Sequence, residues 1–349
     1  MRSSYQYEDV IFLLKDITGL VEPQPAKERE RLIQSGRHYC EMLPVEYVPS
    51  AAYMETYQEA LRHFAVPVAA AIERLSDKIM ARRGGSAVLV SLARAGTPMG
   101  ILIRHYVRKK YGIDLPHYSI SIIRGRGVDH NAMKYLLERY KPEQILFVDG
   151  WIGKGAILGE LEKEMASYAG VSPELAVVAD PANMTELCGT HEDLLIPSSC
   201  LNSTVSGLVS RTFLRDDIIG KDDFHGAVYY GELSASDLSC DFIRTIESEF
   251  GSGYISREEQ VTGRGIDEVR ELAVRFGIGD INLIKPGIGE ATRVLLRRIP
   301  WKVLIRQECR EDVSLAHLIR LAEEKQVPVE YYPLRHYKAC GLIQKLADT

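Results

Sequence analysis

Between Ser86 and Asp180, short and continuously apolar runs alternate with helix-like segments, a rhythm that few folds accept. AVLVSLA (87–93), HYSISII (117–123), QILFVD (144–149) and ELAVVAD (174–180) read as strands. TPMGILIRHYVRKKYG (97–112), AMKYLLERYK (132–141) and AILGELEKEMASYA (156–169) read as the helices between them. Such alternation implies right-handed crossovers and a parallel sheet. Strands buried on both faces explain apolar runs without polar alternation. The expected class is α/β. Open sheets of this kind take ligands at the carboxyl ends of their strands, so the loops after residues 93, 123, 149 and 180 are the ones to examine.

Around this core, residues 1–83 read as a helical N-terminal region packing on it, with a helix over Tyr53–Ala81 carrying Pro67 and stopped at Arg82-Arg83-Gly84-Gly85. The α/β unit is placed at 84–240. Gly251-Ser252-Gly253 marks a linker within 240–262, and a smaller α/β unit follows at 257–349. A hydrophobic share of 46% with 26% charged residues excludes the disordered class. No apolar run approaches the roughly 18–20 residues of a membrane span, and the short apolar stretch near the N-terminus does not read as a signal peptide. The six cysteines, Cys40, Cys188, Cys200, Cys240, Cys309 and Cys340, show no metal or disulfide spacing and read as reduced cytoplasmic thiols. From Arg257 onward 16 basic residues face 14 acidic ones, so charge alone does not point to nucleic acid.

Three loops carry the chemistry. After the third strand, Asp149-Gly150-Trp151-Ile152-Gly153-Lys154-Gly155-Ala156 opens a helix. Glycines let backbone N–H groups converge on an anion, and the helix dipole and a lysine add positive charge. It is not a Walker A loop, since glycine follows Lys154, nor a dinucleotide G-x-G-x-x-G. A tight turn without a ligand is the alternative. After the first strand, Arg94-Ala95-Gly96 leads into a helix; after the second, Arg124 and Arg126 place two guanidiniums at the same sheet edge, suited to pyrophosphate.

These loops, with EMLPVEY (41–47) and IPSSCLNSTVSGLVSRT (196–212), resemble type I phosphoribosyltransferases, and more closely the phosphoribosyltransferase-plus-Pelota proteins of bacterial tellurium-resistance and stress gene clusters. The resemblance covers nearly the whole chain. It implies a type I phosphoribosyltransferase-like sheet and a transferase that binds phosphoribosyl pyrophosphate with Mg²⁺ in making a nucleoside-like metabolite. By that resemblance residues 150–156 would hold the 5′-phosphate, Asp149 the ribose hydroxyls, and Arg94–Gly96 the pyrophosphate. Mg²⁺ would be held mainly through the ligand, with Asp149 as the protein's own candidate. Arg94, Arg124, Arg126 and Arg211 would neutralise leaving-group charge. Gly150 stands where that family has a second acid, which puts ordinary ribose chemistry in doubt; binding without catalysis, as a sensor, stays open.

The segment after the fourth strand is dense in hydroxyls, among them Ser203 and Thr204, and suits an acceptor pocket, or else a loop capping a helix at 204–212. It also holds Cys200, which with His191 or His225 would make a nucleophile–base pair, and relatives of this sequence are sometimes labelled cysteine proteases. The C-terminal unit resembles the Pelota branch of the ribosomal-protein kink-turn binders. There the turn Gly287-Ile288-Gly289-Glu290-Ala291-Thr292-Arg293 would face a structured RNA, with Lys285, Gly287, Glu290, Arg293 and Arg297 as contacts. Protein contact is the alternative, and a homodimer is left open.

Overall fold

Six strands hydrogen-bond in parallel to form the larger of two principal sheets in the computed structural model, which describes residues 1–255 and 262–344, apart from the side chains of Ala26, Lys27, Glu30, Gln34 and Arg297. In chain order they are β1 (Ile11–Phe12), β2 (Val88–Leu92), β3 (His117–Ile120), β4 (Ile145–Trp151), β5 (Leu175–Ala179) and β6 (Cys188–Thr190), arranged β1-β3-β2-β4-β5-β6. Every residue of β2 and β5 is buried, as a two-faced parallel strand requires. The chain reverses direction across the sheet between β2 and β4, which opens a crevice at their carboxyl ends. Mixed α/β architecture with a parallel sheet is what the apolar runs predict.

The N-terminal region departs from an all-helical reading. Only α1 (Ala26–Gln34) and α2 (Ala51–Arg83) are α-helical; Ile11–Phe12 instead joins the sheet edge beside Tyr118 and Ser119. Ser50 caps α2 by accepting from the Tyr53 N–H, and Gly84 ends it with φ 58°. At 33 residues α2 is about 50 Å long. It runs through Pro67, because burial of Phe64, Val68, Ala69 and Ile72 offsets the lost backbone bond. Its alanines bring it so close to β6 that a Cβ on Gly189 would overlap the Ala71 carbonyl.

Helices α3 (Gly96–Tyr111), α4 (His130–Leu137) and α5 (Ala156–Met165) cross over between strands as expected. Helix α6 (Ser239–Ser248) occupies part of the expected linker. Phe242, Ile243 and Ile246 are buried against the core, so that stretch is a packed element. The expected alternative helix at 204–212 is a short 3-10 turn, Ser203–Val205.

His105 on α3 sits between Asp9 Oδ1 at 2.8 Å and Glu247 on α6, and so ties the N-terminal segment to α6. Burial works against its charge, but the bonds to Asp9 and Glu247 outweigh that and raise its pKa to about 9. A raised histidine pKa stabilises the fold fully below about pH 6.5, and that stability is lost as pH rises through about 9. His105→Gln is expected to cost about 2 kcal/mol near pH 6, screening by solvent allowed for. The gap from wild type should close by pH 10 in urea denaturation; a gap independent of pH would refute the ion-pair account.

The smaller sheet contains β7 (Ile284–Pro286), β8 (Pro300–Arg306), β9 (Val329–Tyr332) and β10 (Ala339–Ile343), in the order β7-β10-β8-β9. Helices α7 (Gly265–Arg275), α8 (Ile288–Arg297) and α9 (Ala316–Glu324) accompany it. One apolar cluster includes Ile72 and Leu89 of the larger unit together with Ile288, Leu295 and Leu318 of the smaller. Arg320 of α9 also reaches Glu59 of α2 at 2.7 Å, and Tyr53 donates to the Leu296 carbonyl. No described helix is long and apolar enough to cross a membrane.

Candidate functional site

At the crevice the loop after β2 lies directly on the end of β4, because Gly96 lacks the Cβ that would strike the Val148 carbonyl. Arg94 donates to the Val209 carbonyl at 2.9 Å and to Asn202 Oδ1 at 3.1 Å. Ser203 donates to Glu46 through both its amide and its hydroxyl, each at 3.0 Å, and Thr204 is buried beside it. Arg211 stacks on Tyr39, 4.8 Å from the ring centre. Asp149 accepts from its own Gly150 N–H at 2.8 Å, and burial pushes its carboxyl up to about 7. Arg124 reaches outward to Asn282 Oδ1 at 2.7 Å, and Arg126 pairs with Glu41 at 3.0 Å. The sequence therefore brings Arg94, Arg211, Asp149 and Ser203 to one region; the loop of Arg124 and Arg126 adjoins it, the Arg124 N–H donating to the Tyr39 hydroxyl at 3.0 Å, while both guanidiniums engage protein partners.

The glycine turn after β4 holds protein. Ile152 N–H donates to the Ala179 carbonyl at 3.0 Å. Lys154 Nζ donates to the Ile281 and Ile284 carbonyls at 2.6 and 3.1 Å, and Gly153 O accepts from Tyr337 at 2.6 Å. Burial, with Lys285 and Arg124 nearby, lowers the Lys154 pKa to about 8. Gly155 takes φ 83° just before α5 begins at Ala156, and Trp151 lies under Arg293, 5.7 Å away. The loop thus docks the C-terminal unit. Among the described residues no group of three or more His, Cys, Asp or Glu stands together for a metal ion, and Asp149 alone does not fit one.

Asp193 is the second anchor of that seam. Its carboxylate accepts from Ile288 N–H at 2.9 Å, Lys338 N–H at 2.8 Å and Ala339 N–H at 3.4 Å. It caps the N-terminus of α8 from the other unit, where negative charge is favoured. Burial raises its pKa to about 6 while those N–H bonds hold it down. The turn expected to face RNA is part of this contact: Gly287, at φ 97°, passes directly over Asp193. Burial lowers the Lys285 pKa, and Glu290 pairs with Arg293 at 2.9 Å. The Arg297 side chain lies outside the described residues.

Two thiols face imidazoles. Cys40 Sγ is 2.9 Å from His38 Nδ1, and burial pushes that thiol up to about 11, far from a reactive thiolate. Cys188 Sγ on β6 is 3.3 Å from His191 Nε2. His191 Nδ1 is 3.0 Å from the Asp180 carbonyl oxygen and 3.8 Å from its carboxylate. A carbonyl only accepts, so Nδ1 carries the proton and Nε2 turns a lone pair toward the thiol. Asp180 follows β5, its Oδ2 is fixed by the Met184 and Thr185 N–H groups at 2.6 and 2.8 Å, and burial raises its pKa. A nucleophile, a base and a group orienting the base are in line. Sequence reasoning named His191 but paired it with Cys200, which is fully buried in the turn Pro197–Cys200. His225, its other suggested partner, lies 2.8 Å from Ser121 Oγ through Nδ1. The missed signal was that Cys188 opens a short strand that ends just before that histidine, three residues on.

Residues 3–247 match the family described as Tellurite-like stress resistance cysteine protease StiP, and residues 263–345 match the PELOTA RNA binding domain. A protein of Acinetobacter baylyi (strain ATCC 33305 / BD413 / ADP1) named Cysteine protease StiP is 36% identical over 363 residues, covering 98% of this chain and 94% of that one. A hypoxanthine-guanine phosphoribosyltransferase from Bacillus anthracis aligns over 41% of this chain and 75% of its own, at 12% identity and a TM-score of 0.24, too low to carry an argument. The expected phosphoribosyltransferase activity, with phosphoribosyl pyrophosphate and Mg²⁺, is therefore corrected: the family and the long relative both bear a protease name. On the match over residues 3–247 and the relative spanning nearly its full length, the chain belongs to the tellurite-like stress resistance cysteine protease StiP family.

Proposed function

We propose that this chain is a cysteine hydrolase in which Cys188 is the nucleophile, His191 the base and Asp180 the group that orients it. The observation carrying the reading is the 3.3 Å approach of Cys188 Sγ to His191 Nε2, with Nδ1 already held by Asp180. The family and relative names support the reaction class. His191 Nε2 takes the thiol proton as sulfur adds to an acyl carbon. The same proton passes to the departing amine, leaving a thioester that water opens. Cys188 itself is buried, so substrate approaches from the side of His191, whose side chain is 35% exposed.

The test is turnover of a fluorescent casein by the full chain. Cys188→Ser and His191→Ala should each reduce the rate by about 10³-fold or more, and Asp180→Asn by less. Cys200→Ser and Cys40→Ser should stay within about twofold of wild type, the size of effect expected away from the reacting atoms. Loss of activity in Cys200→Ser with Cys188→Ser unaffected would transfer the role to Cys200.

Two coarser likenesses keep a place here. The order β3-β2-β4-β5 and the small-residue loop after β2 support a type I phosphoribosyltransferase-like sheet as a kinship of fold, since fold and activity separate readily. The match over residues 263–345 supports RNA as a partner of the C-terminal unit.

A further inference from the structure

Strand β6 has three residues at the edge of the larger sheet, and it carries the proposed nucleophile. Its backbone is shared between two neighbours. The Leu187 and Thr190 carbonyls accept from the Val177 and Asp180 N–H groups, at 3.0 and 2.8 Å. The two carbonyls between them turn to α2 instead. Lys78 Nζ donates to the Cys188 carbonyl at 2.8 Å and to that of Glu186 at 3.3 Å, and Arg74 Nε donates to the Gly189 carbonyl at 2.8 Å. Four-residue spacing puts Arg74, Lys78 and Arg82 on one face of α2. Arg82 completes the row by reaching the Glu174 and Glu186 carboxylates at 2.6 and 2.8 Å. Charged donors make hydrogen bonds roughly twice as strong as neutral ones.

These cations lie behind the thiol. The Cys188 side chain packs with Val177 and Ala182 in one apolar cluster, whereas Ile72, Leu75 and Ile79 of α2 belong to another. Lys78 and Arg74 therefore reach Cys188 and its neighbour through the backbone. A strand this short has few ladder bonds of its own, with Cys188 paired to Val177 and Thr190 to Ala179. The 3.3 Å line from Cys188 Sγ to His191 Nε2 depends on the backbone from which the thiol hangs. A misplacement of about 1 Å at a reacting group can lower a rate about 100-fold.

We propose that Lys78 and Arg74 are positioning residues for the thiol, holding the Cys188 and Gly189 carbonyls so that Cys188 Sγ stays on His191 Nε2. The effect on turnover rests on the hydrolase reading; the effect on the thiol itself does not.

The test uses the full chain and two readouts. In casein turnover, Lys78→Met should lower kcat about tenfold or more while KM stays within about twofold. Lys78→Arg, which keeps a charged donor, should recover most of the loss, and Arg74→Met should lower kcat in the same direction. Arg82→Met removes two ion pairs from the same row but no contact with Cys188. It should keep the wild-type kcat even where it melts as early as Lys78→Met, a split that a purely structural role would not produce. The second readout is alkylation of Cys188 by iodoacetamide across pH, followed by mass spectrometry. Its midpoint should move in Lys78→Met toward that of His191→Ala, and stay in place in Arg82→Met. A profile that shifts in this way while the wild type leaves casein intact would remove the hydrolase reading and keep the clamp. Identical profiles in Lys78→Met and wild type, or an equal loss of kcat in Arg82→Met, overturns the clamp whether or not casein is cleaved.

Discussion

Asp193→Ala should loosen the joint between the two units and destabilise the protein by about 3–5 kcal/mol, because it leaves two buried N–H groups and a partly buried third without their charged acceptor. Urea denaturation reads the total. Hydrogen exchange should locate it, with the amides of Ile288, Lys338 and Ala339 losing protection ahead of those in β2 and β4. Asp193→Asn keeps one acceptor oxygen and should fall between. Acid alone should not reproduce the effect. The folded-state pKa of about 6 lies above an ordinary aspartate, so proton uptake between about pH 6 and 4 favours the folded chain. An Asp193→Ala protein with wild-type stability and exchange would show that the apolar contacts alone hold the joint.

Gly189→Ala is the second large effect, expected at about 3 kcal/mol of stability together with loss of hydrolysis. The added methyl would meet the Ala71 carbonyl group and, at 2.8 Å, Val178 O, all of them backbone atoms that no rotamer change can move. Helix α2 would have to back away from β6, whose Cys188 is the proposed nucleophile. Gly159→Ala supplies the contrast. Nothing lies within 4 Å of its added Cβ on α5, so it should stabilise by up to about 1 kcal/mol. Thermal melts of the two variants should move in opposite directions. Similar melts would mean that the close approach of α2 to β6 is slack.

The parallel core was readable because Val88–Leu92, Ile145–Val148 and Leu175–Ala179 are apolar at every step but Ser91, a pattern that two-faced burial explains. Ile11–Phe12 and Cys188–Thr190 escaped because two or three residues carry no periodicity. Residues 239–248 were hidden by the glycines just after them, although the spacing of Phe242, Ile243 and Ile246 is helical. At the site, Arg94, Arg211, Asp149 and His191 were all legible as candidates, but their partners were not. A glycine–lysine turn before a helix reads alike whether its lysine meets a ligand or the carbonyls of Ile281 and Ile284. That ambiguity helped to carry the transferase reading. Pairing Cys188 with His191 depends on where β6 ends beside Asp180, a long-range fact of the sheet.

The long helix α2 has a practical bearing on how the protein is handled. Its first turns carry Tyr53 and Glu59, which hold Leu296 and Arg320, while its later turns back the parallel sheet. It acts as a ridgepole carrying both roofs. A chain cut near residue 255 would leave one end of it wet and unsupported, so assays of the N-terminal portion in isolation would sample a different molecule from the intact one.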